Sequence, residues 1–545
     1  MHNLVQYFRL AIGDTDNNVI ASDSSLAPSH HTGNKNEKWY VNYQSENVFK
    51  IGNASNNKLL TSSEDKVSLS DDSDSEEQKW KIEGVEKDYD GYFLYYTISS
   101  NSDSSKFLTY TANKGFSLEE YSGKEYQHFK INLDGLEGFG ANCKTSLGEK
   151  AGLIGGLFGP SVTVNTKDEF ISAINSDGPK TIHINANFDL INNKNTRIRD
   201  YKTICGSTKY KIIYNGNFRT NDPNGKDAPS DNIILRNIYF ESREDGDRNL
   251  LNFFSSRQIW IDHCIFQNIV PYDAKGDGSD CFGKFVWINT PDPNKPDEKY
   301  ANRSPDYITV SYCKFNNKFW CFESGTQNND KTRNRITLSY NSWDSNVRMC
   351  PELGNGYAHV YNNFYYVNGP KRNGNFLTDI IGGEGSEILS QNNIFYGYSK
   401  EQVLNIDTNT KNPARDDNSY FSTEPNGTPT KLDYSPKVKS KWNPNESNYG
   451  YSLLDAYNND KNDTLAFCLK YNGFVDDTQE KIKYITDSDF SNWSKTTYDS
   501  PFLKHIDFSD AKKENNDEKD INSLSIVKKE VYKNKDCVHT VIYVK

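Results

Sequence analysis

Gln258-Ile259-Trp260-Ile261-Asp262-His263-Cys264-Ile265-Phe266 is the stretch that decides how this chain is read. Apolar residues dominate it and polar ones break it at short intervals, the pattern of a largely buried strand. Related short strands follow: Val310-Ser311-Tyr312-Cys313-Lys314-Phe315, Leu338-Ser339-Tyr340-Asn341-Ser342-Trp343, Val360-Tyr361-Asn362-Asn363-Phe364 and Gln391-Asn392-Asn393-Ile394-Phe395. Ile233-Ile234-Leu235-Arg236-Asn237-Ile238-Tyr239 precedes them. Each carries Asn or Cys two residues before an aromatic, at Asn237, Cys264, Cys313, Asn341, Asn362 and Asn393, in steps of 27, 49, 28, 21 and 31 residues. Such irregular steps, one strand to each, predict the coils of a right-handed parallel β-helix, with an inserted loop in the long step.

At 545 residues the chain exceeds one ordinary domain. Abundant Tyr and Phe, with Asn, Ser and Asp in the turns, favour a stacked all-β architecture over a helical bundle. The formal net charge of −11 argues against nucleic acid as the partner, and it repels a polyanion unless a basic cleft or a bound cation reverses the field locally. No apolar run reaches the ~18 residues of a membrane span. Nine scattered cysteines include no CxxC pair, so a zinc site is not expected, and Cys264 and Cys313 are expected to stack unbonded inside the helix. The N-terminus carries no secretory signal; a secreted monomer whose signal has been removed is the expectation.

Residues 1–135 differ in character. Three similar units run from Tyr7-Phe8-Arg9-Leu10 to Glu37-Lys38-Trp39, from Val48-Phe49-Lys50-Ile51 to Gln78-Lys79-Trp80, and from Tyr92-Phe93-Leu94-Tyr95 to Gln127-His128-Phe129. Three short-stranded repeats, each closing on an aromatic, predict a β-trefoil with those aromatics in its core. The Gln-x-Trp closure resembles ricin-type β-trefoil modules, which implies a carbohydrate-binding role, here toward plant cell-wall sugars. The Asp of their Cys-Leu-Asp element is replaced by Thr61 in Leu59-Leu60-Thr61 and Thr109 in Phe107-Leu108-Thr109, so a purely structural trefoil stands beside the binding one. A Gly-rich linker spans 136–160. The β-helix domain is placed at 161–474, opening with Val162-Thr163-Val164 and a capping helix through Ile174, its coils running to about 410. Residues 475–545 form an extension of undecided fold, and Asp510 to Asp520 reads as a solvated charged run.

Trp260-Ile261-Asp262-His263-Cys264, preceded by Asn232-Ile233-Ile234-Leu235-Arg236-Asn237 and followed by Asp306-Tyr307-Ile308-Thr309-Val310-Ser311 and His359-Val360-Tyr361-Asn362-Asn363, resembles the pectate lyase family in order and type. The resemblance covers about 160 to 410. It implies cleavage of α-1,4-polygalacturonate by calcium-assisted β-elimination. The C5 proton sits beside a carboxylate, so cations must stabilise the enolate that forms while a base removes the proton. Hard calcium would be held by acidic oxygens.

Carried onto this chain, the family pattern implies these roles. Trp320 stands at the place of the catalytic Lys, counted back from Gly325, and Lys318 is the nearest ammonium. Arg348 is the candidate base, one residue further from Pro351 than the pattern has it, and Gly354 stands where a second Arg belongs. Asp247, Asp277 and Asp280 are the candidate calcium ligands, the last two in Asp277-Gly278-Ser279-Asp280. Lys371 and Arg372 extend a basic groove for substrate. Asp262 and His263 are expected to form a buried polar pair away from the cleft. These departures keep two alternatives open: a lyase on methylated pectin with little need of calcium, and an inactive β-helix that binds acidic polysaccharide.

Overall fold

The computed structural model describes residues 5–141 and 152–434, apart from short stretches of which 269–282, 290–302, 326–333 and 368–379 are the longest, together with the backbone of Ile526–Asn534 and Cys537–Val544.

The N-terminal repeats build a closed six-stranded barrel. Phe8–Ile12 pairs with both Phe129–Leu133 and Trp39–Ser45, and the ring continues through Val48–Asn53, Lys79–Lys87 and Phe93–Ser100 back to Phe129–Leu133. Three hairpins, Asn17–Ser22 with Ser25–His30, Leu59–Ser63 with Lys66–Ser70, and Lys106–Thr111 with Gly115–Glu120, complete the arrangement of a β-trefoil. The closing aromatics Trp39, Trp80 and Phe129 are buried in its core. Each lies opposite the aromatic that opens its repeat: Phe8↔Trp39, Phe49↔Trp80 and Tyr96↔Phe129. The third repeat therefore opens on Tyr96, three residues beyond the Phe93 that sequence alignment suggests.

The remainder coils through three parallel sheets of ten, ten and eight strands, one strand of the second being the antiparallel Thr430–Lys431. The first sheet carries Arg257–Asp262, Asp306–Ser311, Asn334–Ser339 and Gly356–Tyr361; the second carries Ile265–Asn268 and Lys314–Asn316; the third carries Leu251–Phe254, Val286–Asn289, Phe322–Ser324 and Glu352–Leu353. The helix Lys167–Ile174 caps the open end. Thr166 and Glu169 form a reciprocal capping box at its start, and Phe170, Ala173 and Ile174 are buried. Coils continue past 410, with Ala414–Asp417 joining the first sheet and Tyr420–Ser422 the second.

Two adjacent columns turn each coil from the first sheet into the second. Asn237, His263, Tyr312, Tyr340, Asn362, Asn392 and Asn418 all take left-handed backbone, with φ between 50° and 69°. The next residue points inward: Cys264, Cys313, Asn341, Asn363, Asn393 and Ser419 form a ladder. The Cys264 N–H donates to Cys313 Sγ at 3.4 Å, and Cys313, Asn341 and Asn363 each donate to the asparagine Oδ1 one rung on at 2.9 Å. Asn393 N–H ends on Ser419 Oγ. Asn237 and Asn362, grouped by spacing with the ladder, belong instead to the left-handed column, where asparagine is favoured. Inside, Phe240, Phe266, Phe315, Trp343, Tyr365 and Phe395 stack with centroids 4.2 to 5.8 Å apart.

The trefoil seats on the outer face of the first sheet. Ile234, Trp260, Tyr312, Tyr340 and Tyr361 from the coils and Phe49, Tyr96, Leu153, Ile154 and Leu157 from the other side share one buried apolar cluster. The linker is pinned to that face by hydrogen bonds. Asn232 Oδ1 accepts from the Ile154 N–H, Thr203 Oγ1 from Gly156 and Thr309 Oγ1 from Gly140.

Candidate active site

Outward positions of the third sheet line up in register as Asn252, Trp287, Glu323 and Glu352. Their neighbours Leu251, Phe253, Val286, Ile288, Phe322 and Leu353 point into the core, so strand alternation puts a polar and aromatic column on the outside. Just ahead of the sheet, Trp320 and Arg348 face each other in a parallel bridge. Cys321 and Phe322 donate their N–H groups to the carbonyls of Arg348 and Met349, fastening the two turns together. Met349, the extra residue between Arg348 and Pro351, takes left-handed backbone at φ 57°, and Cys350–Pro351 is cis.

The charges here are mixed. Lys284 Nζ lies 2.8 Å from Glu323 Oε2 and over two indoles, 5.3 Å from the Trp287 ring centroid and 5.0 Å from that of Trp320. Glu352, partly buried, has its proton affinity raised, first by burial and then by Glu323, while Arg348 and Lys284 act in the opposite sense. Burial without full hydrogen bonding favours the neutral carboxyl.

Of the seven residues singled out from sequence, Lys318 and Arg348 fall on one kind of connection, the segment between a second-sheet strand and the following third-sheet strand. Lys318 and Arg348 are described. Lys318 is two residues ahead of Trp320, buried, with its ammonium 5.8 Å from the Phe285 ring centroid. Asp247, Asp277, Asp280, Lys371 and Arg372 lie outside the described residues. Lys284, Trp287, Glu323 and Glu352 were not anticipated. Their only local sign is a polar or indole residue at alternate positions of short apolar strands, and what joins them is register across coils. Asp262 and His263 are buried as expected, away from this column and against the trefoil.

Calcium takes six to eight oxygen ligands. Among the described residues the carboxylates do not offer such a set: Glu323 is committed to Lys284, Glu352 favours its proton, and no group of three or more His, Cys, Asp or Glu could hold one ion.

Comparison with known proteins gives the family. The family model described as pectate lyase matches residues 139–461. A pectin lyase of Pseudomonas marginalis is 27% identical over 335 residues, 59% of this chain and 91% of that protein. A pectate trisaccharide-lyase of Thermotoga maritima is 29% identical over 227 residues, 39% of this chain and 53% of that protein. Among solved structures, a Bacillus subtilis pectate lyase variant covers 63% of this chain and 97% of its own length, at 18% identity and a TM-score of 0.48.

Proposed function

The chain belongs to the pectate lyase family of polysaccharide lyases, and from that premise we propose that it cleaves the galacturonan backbone of pectin by β-elimination at the mouth of the third sheet. The observation that carries this reading is Arg348 bridged to Trp320 at the entry to that sheet, beside the Lys284–Glu323 ion pair.

In this reading the C5 proton is removed beside Arg348, the C5–H electron pair becomes the C4–C5 double bond, and the glycosidic oxygen leaves C4 and is protonated by water. A guanidinium hardly loses its proton in water. Arg348 therefore acts as a base only where neighbouring cations disfavour its charged form; otherwise it stabilises the enolate while water takes the C5 proton. Lys318, Lys371 and Arg372 are proposed to meet substrate carboxylates. Calcium held by Asp247, Asp277 and Asp280 is the proposal that accompanies the free acid, polygalacturonate, as substrate.

A second reading, a methyl-esterified chain, is favoured by one observation: an indole stands at the expected ammonium position, and the nearby Lys284 is neutralised by Glu323. Neutral esters need less cationic help.

Unsaturated products absorb in the ultraviolet, so the protein is incubated with polygalacturonate and with methylated pectin, each with and without a chelator. Absorbance rising on polygalacturonate and abolished by chelation supports the calcium-assisted reading. A rise on methylated pectin that survives chelation supports the second. No rise in any tube leaves an acidic-polysaccharide-binding protein. Arg348→Ala is expected to lower kcat by about 10²- to 10⁴-fold.

A further inference from the structure

Three side-chain atoms of the outward column are buried without a hydrogen-bond partner: Asn252 Nδ2, Trp287 Nε1 and Glu352 Oε2. Buried polar atoms are nearly always paired, so three unpaired ones in one register-aligned column, in which Glu323 is paired to Lys284, point to a polar ligand there. Two of the three are neutral donors, and neither matches the cationic grip that a row of free carboxylates calls for. The third is a carboxyl group on the strand that Arg348 leads into.

We propose that Glu352 is a specificity-determining residue of this site, discriminating uronate units whose carboxyl group is esterified from those whose carboxyl group is free. The inference rests on the reading of the site as a pectin-cleaving lyase.

Glu352 faces Glu323 on the adjacent strand; Lys284 is paired to Glu323, and Arg348 lies on the approach to the same strand. Burial first, and then Glu323, hold its proton more tightly than in an ordinary Glu, against the opposing pull of Arg348 and Lys284. Protonated, it donates a hydrogen bond to an ester carbonyl or to a carboxylate alike. Ionised, it repels a carboxylate directly while an ester feels only the loss of the donor. Preference for the esterified chain must therefore grow as pH rises through the titration of Glu352. The raised proton affinity moves that change toward neutral pH, where free galacturonate is already fully charged.

The test is the ratio of kcat/KM on highly methylated pectin to that on polygalacturonate, measured from pH 4.5 to 9 for the wild type and for Glu352→Gln, with folding of both checked by thermal unfolding. Glutamine keeps the shape and the donor but cannot ionise. In the wild type the ratio is expected to climb by roughly tenfold or more across the range. In Glu352→Gln it should stay flat, through recovered activity on polygalacturonate, mostly in KM. An unchanged ratio and pH profile in Glu352→Gln overturns this inference alone. Failure of the wild type to release unsaturated product from either polymer overturns the lyase reading and this inference with it.

Discussion

Asp262 is fully buried among Arg236, His263 and Ser311, whose hydroxyl donates to Oδ1 at 3.3 Å. Arg236 Nε donates to Oδ2 at 2.9 Å and His263 Nδ1 lies 2.8 Å from Oδ1, while the Arg236 guanidinium sits 4.7 Å over the Trp260 ring and donates to Gln6 Oε1 of the trefoil at 2.8 Å. Removing one partner from such a group strands a buried charge. Asp262→Ala is expected to destabilise the protein by about 3–5 kcal/mol, read from the denaturant midpoint, with activity per folded molecule retained because the trio is remote from the third sheet. The ring of His263 stacks on Tyr312 at 4.7 Å and Tyr312 on Tyr340 at 4.7 Å. Those three bulky residues hold left-handed backbone where asparagine stands on four other coils, and ring stacking offsets the backbone cost. The trefoil repeats one device three times: the buried side chains of Glu37, Gln78 and Gln127 each accept from the N–H of a residue five positions earlier, at Thr32, Ser73 and Ser122.

The asparagine ladder is an element whose members support one another. Asn363 Oδ1 accepts from the Asn341 N–H, and Asn363 Nδ2 donates to the Leu338 and Tyr361 carbonyls at 3.0 Å. Asn363→Ala leaves these groups buried and unmet; a loss of about 1–3 kcal/mol for each is expected, visible as an earlier thermal transition. The ladder's far end is pH-sensitive. Asp416 accepts from Ser390 Oγ at 2.6 Å and from the Ser419 N–H at 3.1 Å, and burial pushes its pKa up to about 6. Because this lies above the ordinary Asp value near 3.9, the folded state holds the proton more tightly. Its contribution to stability is complete below about pH 4 and is lost as pH rises through about 6, amounting to about 3 kcal/mol. Asp416→Asn should remove that slope, so the stability difference between variant and wild type, followed by denaturant unfolding at pH 4 to 7, should change across this window. An unchanged difference would show that Asp416 does not titrate there.

At the scale of the molecule, trefoil and coil share apolar surface rather than hanging from a free linker. Phe158 lies 5.4 Å from the Phe49 ring and 5.1 Å from the Tyr96 ring, closing the linker onto the barrel. A single cooperative unfolding transition is expected for these two parts. Phe158→Asp should split it into two in a calorimeter, since a charge placed among aromatic rings uncouples the seam without entering either core. Such a seat also orients the trefoil relative to the coil, with Arg236 and Gln6 joining the two through a buried hydrogen bond.

The chain order of strand-forming segments was enough to predict a parallel coil behind a three-fold barrel, because burial alternation and recurring aromatics are written locally. Register was not. Asn362 and Asn363 are neighbours that each satisfy the spacing, and only hydrogen bonding to the rungs on either side assigns Asn363 to the ladder and Asn362 to the turn. Arg348 was legible because a motif surrounds it. Lys284 was not, because its meaning comes from Glu323 and Trp320, which the chain separates by more than thirty residues and the coil stacks one rung away. Local sequence specifies which residues can form a rung; which side chains meet along the outside of the coil depends on loop lengths and stacking, quantities that only the folded coil brings to a value.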